Sequence, residues 1–279
     1  MCGTCGCSDP ANAVTMTNVA TGETVQLRGD DPGHAGHHHD GHHHHDHDQD
    51  HHHHHEGDDR PHVHGPGGEV VLLEAAILAK NDTVAAQNRG WFEGRRVAAY
   101  NLVSSPGAGK TTLLERTIRE MNGQRQICVI EGDQMTANDA ERIRDAGARA
   151  IQINTGAGCH LEADMVGEAA RALDPEPGSL MLIENVGNLV CPAMFDLGER
   201  MKVAIVSTTE GEDKPLKYPH MFRAAELVLI NKIDLAPHVE FDEEKCRAAI
   251  SEVNPAARTI ALSAKTGAGF KEWLDFLKA

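Results

Sequence analysis

The chain has 279 residues and a formal net charge of −16 at neutral pH, room for one or two domains with a full core. Acidity of that size argues against nucleic acid as a partner, because phosphate binding wants clustered Lys and Arg. No stretch reaches the ~18 apolar residues of a membrane span, and no basic flank leads into an apolar segment at the N-terminus. The expectation is a cytoplasmic protein whose seven cysteines stay reduced and serve metal or redox chemistry.

Residues 1–68 are rich in Gly, Asp and His and poor in core-forming side chains, so they are expected to form a disordered tail. The tail opens MCGTCGC, and 16 of the chain's 19 histidines fall between His34 and His64. Residues 69–279 have the pattern of one globular domain. EVVLLEAAILAKNDTVAAQNRGWF reads as a helical segment with a break expected near Asn81. Beyond it, RVAAYNLVS, QICVIEG, ARAIQIN, SLMLIENV, KVAIVSTT, ELVLINK and RTIAL read as buried strands. TTLLERTIREM, ANDAERIRDAG, LEADMVGEAARAL, DEEKCRAAISEV and KEWLDFLK read as helices. The alternation predicts an α/β fold, with a mostly parallel sheet covered by helices on both faces.

SSPGAGKTT lies between a strand ending near Ser104 and a helix starting near Lys110. A loop placed there wraps phosphates with backbone N–H groups; Gly107, Ala108 and Gly109 bring the backbone close, and Thr112 continues the turn. Lys110 would reach the terminal phosphates and the Thr111 hydroxyl would ligate magnesium. Ser104 stands where the general pattern has its first glycine. NKID at residues 231–234 follows a later strand. The Asp234 carboxylate can accept both the ring N–H and the exocyclic amine of guanine, with Asn231 and Lys232 beside it, and adenine offers no such donor pair. SAKTG at 263–267 follows the last strand, where the backbone of Ser263, Ala264 and Lys265 can meet the guanine carbonyl. Three motifs in this order, each at a strand's C-terminal end, point to a P-loop GTPase. Asp133 and Glu184 also sit at strand ends. Either could hold magnesium or position the attacking water, the alternatives being helix capping for Asp133 and a buried hydrogen bond for Glu184.

Cys159 and His160 are adjacent in NTGAGCH, and Cys191 lies in ENVGNLVCP, both in loops leaving the nucleotide edge of the sheet. Two thiolates and an imidazole would suit zinc or nickel, with the shell completed by water or a second subunit. The alternative is a helix-capping histidine beside two incidental thiols. Cys128, inside a strand, and Cys246, on an amphipathic helix, are expected to be structural. The tail's Cys2, Cys5 and Cys7 lack the second C-x-x-C of a zinc ribbon and the fold of a redox pair. With Met1 removed, three thiolates and the Cys2 amine could satisfy square-planar nickel(II). The histidine tract forms a second, weaker metal reservoir; its irregular, internal placement argues against a purification tag.

SSPGAGKTT, EGDQMTANDAERI, NTGAGCHLEADM, ENVGNLVCP, NKIDL and SAKTG together resemble the hydrogenase nickel-insertion GTPases, the HypB family, over residues 69–279. The resemblance extends to the tail through C-x-x-C-G-C and the histidines, and Ser104 is compatible with that family's own loop. It implies a nickel chaperone for nickel–iron hydrogenase maturation that forms a GTP-dependent homodimer with metal near its interface. It implies two partners, a small zinc-bearing maturation factor and the hydrogenase large-subunit precursor. It also implies a tight nickel site at Cys2, Cys5 and Cys7, and a weaker, nucleotide-coupled one at Cys159, His160 and Cys191. The competing readings are a urease accessory GTPase, which the cysteine arrangement disfavours, and a nickel store with a residual G domain.

Overall fold

The computed structural model describes residues 14–27, 68–133, 138–156 and 158–278; Cys2, Cys5, Cys7 and the histidine tract lie outside the described residues. In chain order, β1 (Thr15–Asn18) and β2 (Thr24–Gln26) precede the long helix α1 (Gly68–Gly94). Then β3 (Ala98–Ser104), α2 (Lys110–Met121), β4 (Ile127–Asp133), α3 (Asn138–Asp145), β5 (Arg149–Asn154), α4 (Ala163–Leu173) and β6 (Leu180–Glu184) alternate. The short α5 (Cys191–Met194) leads to β7 (Met201–Ser207), followed by α6 (Lys214–Lys217), α7 (Pro219–Arg223) and β8 (Leu227–Asn231). The described chain ends with α8 (Glu243–Val253), β9 (Arg258–Ala261) and α9 (Phe270–Lys278).

Among the described residues, nine strands form one sheet in the order β2-β1-β5-β4-β6-β3-β7-β8-β9. The seven expected strands pair in parallel, and β1 runs antiparallel to both β2 and β5. Burial on both faces explains why these strands are near-continuous apolar runs. On one face Tyr100, Leu102, Val129 and Leu182 pack with Leu113, Leu114 and Trp273 of α2 and α9. On the other, Ala99, Ile130 and Ile183 meet Phe92 of α1 and Val166 of α4. Among the described residues no helix is long and apolar enough to cross a membrane.

Two expectations are corrected. The tail boundary at residue 68 is too simple, because residues 14–27 form a hairpin that belongs to the sheet. Val14, Met16 and Leu27 turn inward onto the α1–α4 face, and β1 covers what would otherwise be the open edge of β5. Nor does α1 break at Asn81. Asn81 and Asn88, two turns apart, face the body: Asn81 Nδ2 donates to the Asp196 carbonyl at 2.7 Å and its Oδ1 accepts from Ala163 N at 2.9 Å. Asn88 Nδ2 donates to the carbonyls of Ala163 and Leu197. Both are docking residues of a continuous helix.

Candidate nucleotide and metal sites

The carboxyl ends of the parallel strands share one edge, where ligands of such sheets bind. A cavity of roughly 510 Å³ opens there, lined by Gly107, Gly109, Lys110, Thr111, Thr112, Glu131, Asp133, Glu184 and Lys232 among others. Lys110 Nζ donates to Ser104 Oγ at 2.8 Å, so the serine in place of a glycine is a contact of the loop lysine. Thr111 Oγ1 donates to Glu184 Oε1 at 2.9 Å. Hydroxyl and carboxylate oxygens side by side are the donor set of a hard divalent cation, and fit magnesium. Glu131 lines the same cavity from inside β4, in register with Glu184 on β6, and is 2% exposed. Sequence reading passed over it in favour of Asp133, although both stand in the same VIEGD run.

The three nucleotide motifs are stapled to one another. Asn231 Nδ2 donates to the Ala108 carbonyl at 2.9 Å, while its Oδ1 accepts from Ala264 N at 3.1 Å. Lys232 Nζ donates to the Gly107 carbonyl at 2.7 Å. Ser263 Oγ donates to Asp234 Oδ1, presenting the carboxylate from the loop that bears Lys265. Gly109 has φ 96°, and a Cβ there would stand 2.6 Å from Asn231 Nδ2. Only glycine fits that position.

Cys159, His160 and Cys191 come together, their ligand atoms all within 4.8 Å of one another. His160 is 8% exposed, its ring lies 3.9 Å from that of Phe195, and Cys159 Sγ is 3.5 Å from its Nδ1. The two thiols are half-buried, whereas Cys128 and Cys246 are core residues. Burial pushes the Cys128 thiol up to about 11 and that of Cys246 up to about 12, which keeps both protonated and poor ligands at neutral pH. The cluster adjoins the nucleotide cavity: a Cβ on Gly187, in the loop leading to Cys191, would stand 3.0 Å from Pro106 of the phosphate loop. Thiolate and imidazole ligands in an open set of three suit a borderline ion such as nickel or zinc.

Residues 98–261 match the family model described as CobW/HypB/UreG, nucleotide-binding domain. Similar curated proteins include the hydrogenase maturation factor HypB of Rhizobium leguminosarum bv. viciae, 58% identical over 219 residues, covering 76% of this chain and 73% of that protein. Among solved structures, HypB of Archaeoglobus fulgidus superposes with TM-score 0.67 at 44% identity, covering 72% of this chain and 98% of that one. HypB of Helicobacter pylori in complex with nickel superposes with TM-score 0.68 at 38% identity, covering 71% of this chain and 94% of that one.

Proposed function

The chain belongs to the HypB family of hydrogenase maturation factors, and from that premise we propose that it is a cytoplasmic GTPase that stores nickel and delivers it for nickel–iron hydrogenase maturation. The observation that carries this reading is the Cys159, His160 and Cys191 cluster, within 4.8 Å, one loop away from the phosphate-binding residues. A carrier that must both hold and release its cargo needs those two sites in mechanical contact.

On this reading Lys110 neutralises charge on the terminal phosphates, and Thr111 and Asp133, with Glu184 against the Thr111 hydroxyl, would hold magnesium, which would supply charge stabilisation to the phosphates. Glu184, and Glu131 beside it, orient the attacking water. Asp234 selects guanine. The tail site at Cys2, Cys5 and Cys7 and the histidine tract acquire and buffer nickel, while Cys159, His160 and Cys191 pass it on, with zinc as the competing ion. Val190 and Met194 flank Cys191 at 48% and 51% exposure, an apolar rim suited to a second copy of the chain in a GTP-dependent homodimer. The receiving partners are a small zinc-bearing maturation factor and the hydrogenase large-subunit precursor.

The test combines phosphate release from GTP and from ATP with equilibrium dialysis of nickel on the full chain. Hydrolysis of GTP but not ATP, together with retained nickel that falls when Cys159 and Cys191 are replaced by Ala, is expected. Equal use of both nucleotides, or nickel retention indifferent to those cysteines, contradicts it.

A further inference from the structure

Four buried polar side chains connect the two halves of the metal cluster, and one of them, Asn185, also lines the nucleotide cavity. The alternation of β3 turns Asn101 to the face opposite Tyr100 and Leu102, where it is fully buried. Asn101 Nδ2 donates to Glu199 Oε1 at 3.0 Å, and its Oδ1 accepts from Asn185 Nδ2 at 3.2 Å. Asn185 Oδ1 accepts in turn from Leu161 N at 3.2 Å and from Val186 N at 3.0 Å. One amide thereby fixes the residue after His160 and the residue two beyond Glu184.

At the other end Glu199 Oε2 accepts from Leu197 N at 2.6 Å, and Glu199 Oε1 lies 3.7 Å from Lys202 Nζ. Lys202 Nζ donates to the carbonyls of Pro192, Ala193 and Phe195 at 3.1, 3.2 and 3.0 Å. These carbonyls close the turn of α5, which Cys191 begins. An ammonium has three N–H donors, and three carbonyls of one turn receive them. Lys202 and Glu199 are each 7% exposed, Asn185 1%. A hydrocarbon of the same volume would hold a core at least as well as a buried ion pair, so stability alone does not account for the charges. What the charges fix is the geometry of a turn carrying a single thiol.

We propose that Lys202, Glu199, Asn101 and Asn185 form one positioning chain that sets the Cys159–His160 pair against Cys191 and keeps both in register with Glu184 at the nucleotide cavity. The proposal rests on the metal-delivery reading above. It makes the chain the physical link through which a shift at the Glu184 end of β6 reaches the metal ligands. Outer partners that orient metal ligands behave this way in general.

The test uses the full-length chain with Cys2, Cys5 and Cys7 replaced by Ser, and nickel(II) alone as the probe. Thiolate-to-nickel charge-transfer absorption then reports Cys159 and Cys191, since Cys128 and Cys246 are buried in the core and imidazoles give no such band. Lys202→Met alone strands a buried carboxylate and risks the fold; Lys202→Met with Glu199→Gln leaves no unpaired charge. In the double variant nickel affinity should fall about 10–100-fold, and its difference between GDP and a non-hydrolysable GTP analogue should vanish, in a protein that still melts cooperatively, at a lower temperature because three carbonyls lose their donor. Lys202→Arg, which keeps the charge, should recover most of the affinity. A double variant that folds and keeps the parent's band, affinity and nucleotide response overturns the positioning chain. A parent protein that gives no thiolate band overturns the metal reading itself, which separates the two failures.

Discussion

The nucleotide loops and the metal loops leave the same edge of one sheet, yet they are held in different ways. The nucleotide loops hold each other: Asn231 ties Ala108 to Ala264, and Lys232 reaches back to Gly107. The metal loops are held from beneath, by Asn185 on the Leu161 amide and by Lys202 on the α5 carbonyls. A site whose recognition residues are also its scaffold is robust. A site with separate scaffold residues can be shifted without dismantling the ligands, which is what a releasable cargo requires.

The comparison can be broken most forcefully at Asp234. Replacing it with Asn removes two hydrogen bonds to a charged acceptor, each about 1.5–3 kcal/mol. GTP affinity should then fall by roughly 10²–10⁴-fold and xanthine nucleotides should compete, while nickel capacity stays the same. Nucleotide titrations of both proteins check this, and an unchanged GTP affinity would remove Asp234 from the base site. A smaller effect is expected from Gly109→Ala. The positive φ alone costs about 1–2 kcal/mol, or roughly 5- to 30-fold; a Cβ 2.6 Å from Asn231 Nδ2 must also displace that side chain, so GTP affinity should drop further, by about 100-fold. If the nucleotide loops were not mutually stapled, the loss would stop at the local backbone term, and calorimetric titration distinguishes the two.

Thiol chemistry sharpens the other side. Thiolate is the reactive form, and a thiol near 11 is thiolate in only about one molecule in a thousand at pH 8. Because burial raises Cys128 and Cys246, their alkylation should lag far behind Cys159 and Cys191 and accelerate only as pH climbs toward those values. Nickel should protect Cys159 and Cys191 and leave the two core thiols unaffected. Mass spectrometry of alkylated peptides reads this, and equal labelling of all four would dissolve the distinction between ligand and core cysteines.

The same division governs what was legible in the sequence. β3 to β9 were readable because strands buried on both faces are continuous apolar runs, and the nucleotide motifs because their residues are contiguous. The β1–β2 hairpin was missed because TMTN and TVQ are short, half polar and set in a segment dominated by Gly, Asp and His; their burial depends on the distant edge of β5. Asn81 resembled a helix breaker because its partners, Asp196 and Ala163, are remote in sequence. Cys159, His160 and Cys191 could be grouped by chemistry and by the shared sheet edge. Lys202, Glu199 and Asn101 carried one faint signal, polar residues inside or beside apolar strand runs, and nothing local says what they hold.

The most direct measurement is the affinity of the full-length chain for a non-hydrolysable GTP analogue, with and without saturating nickel, in the parent and in Cys159→Ala. If the two sets of loops share one state, nickel and nucleotide must change each other's affinity by the same factor, on the order of 5- to 150-fold, and Cys159→Ala must abolish the change. Analogue affinities that are identical with and without nickel would contradict the shared state and leave two independent sites on one sheet.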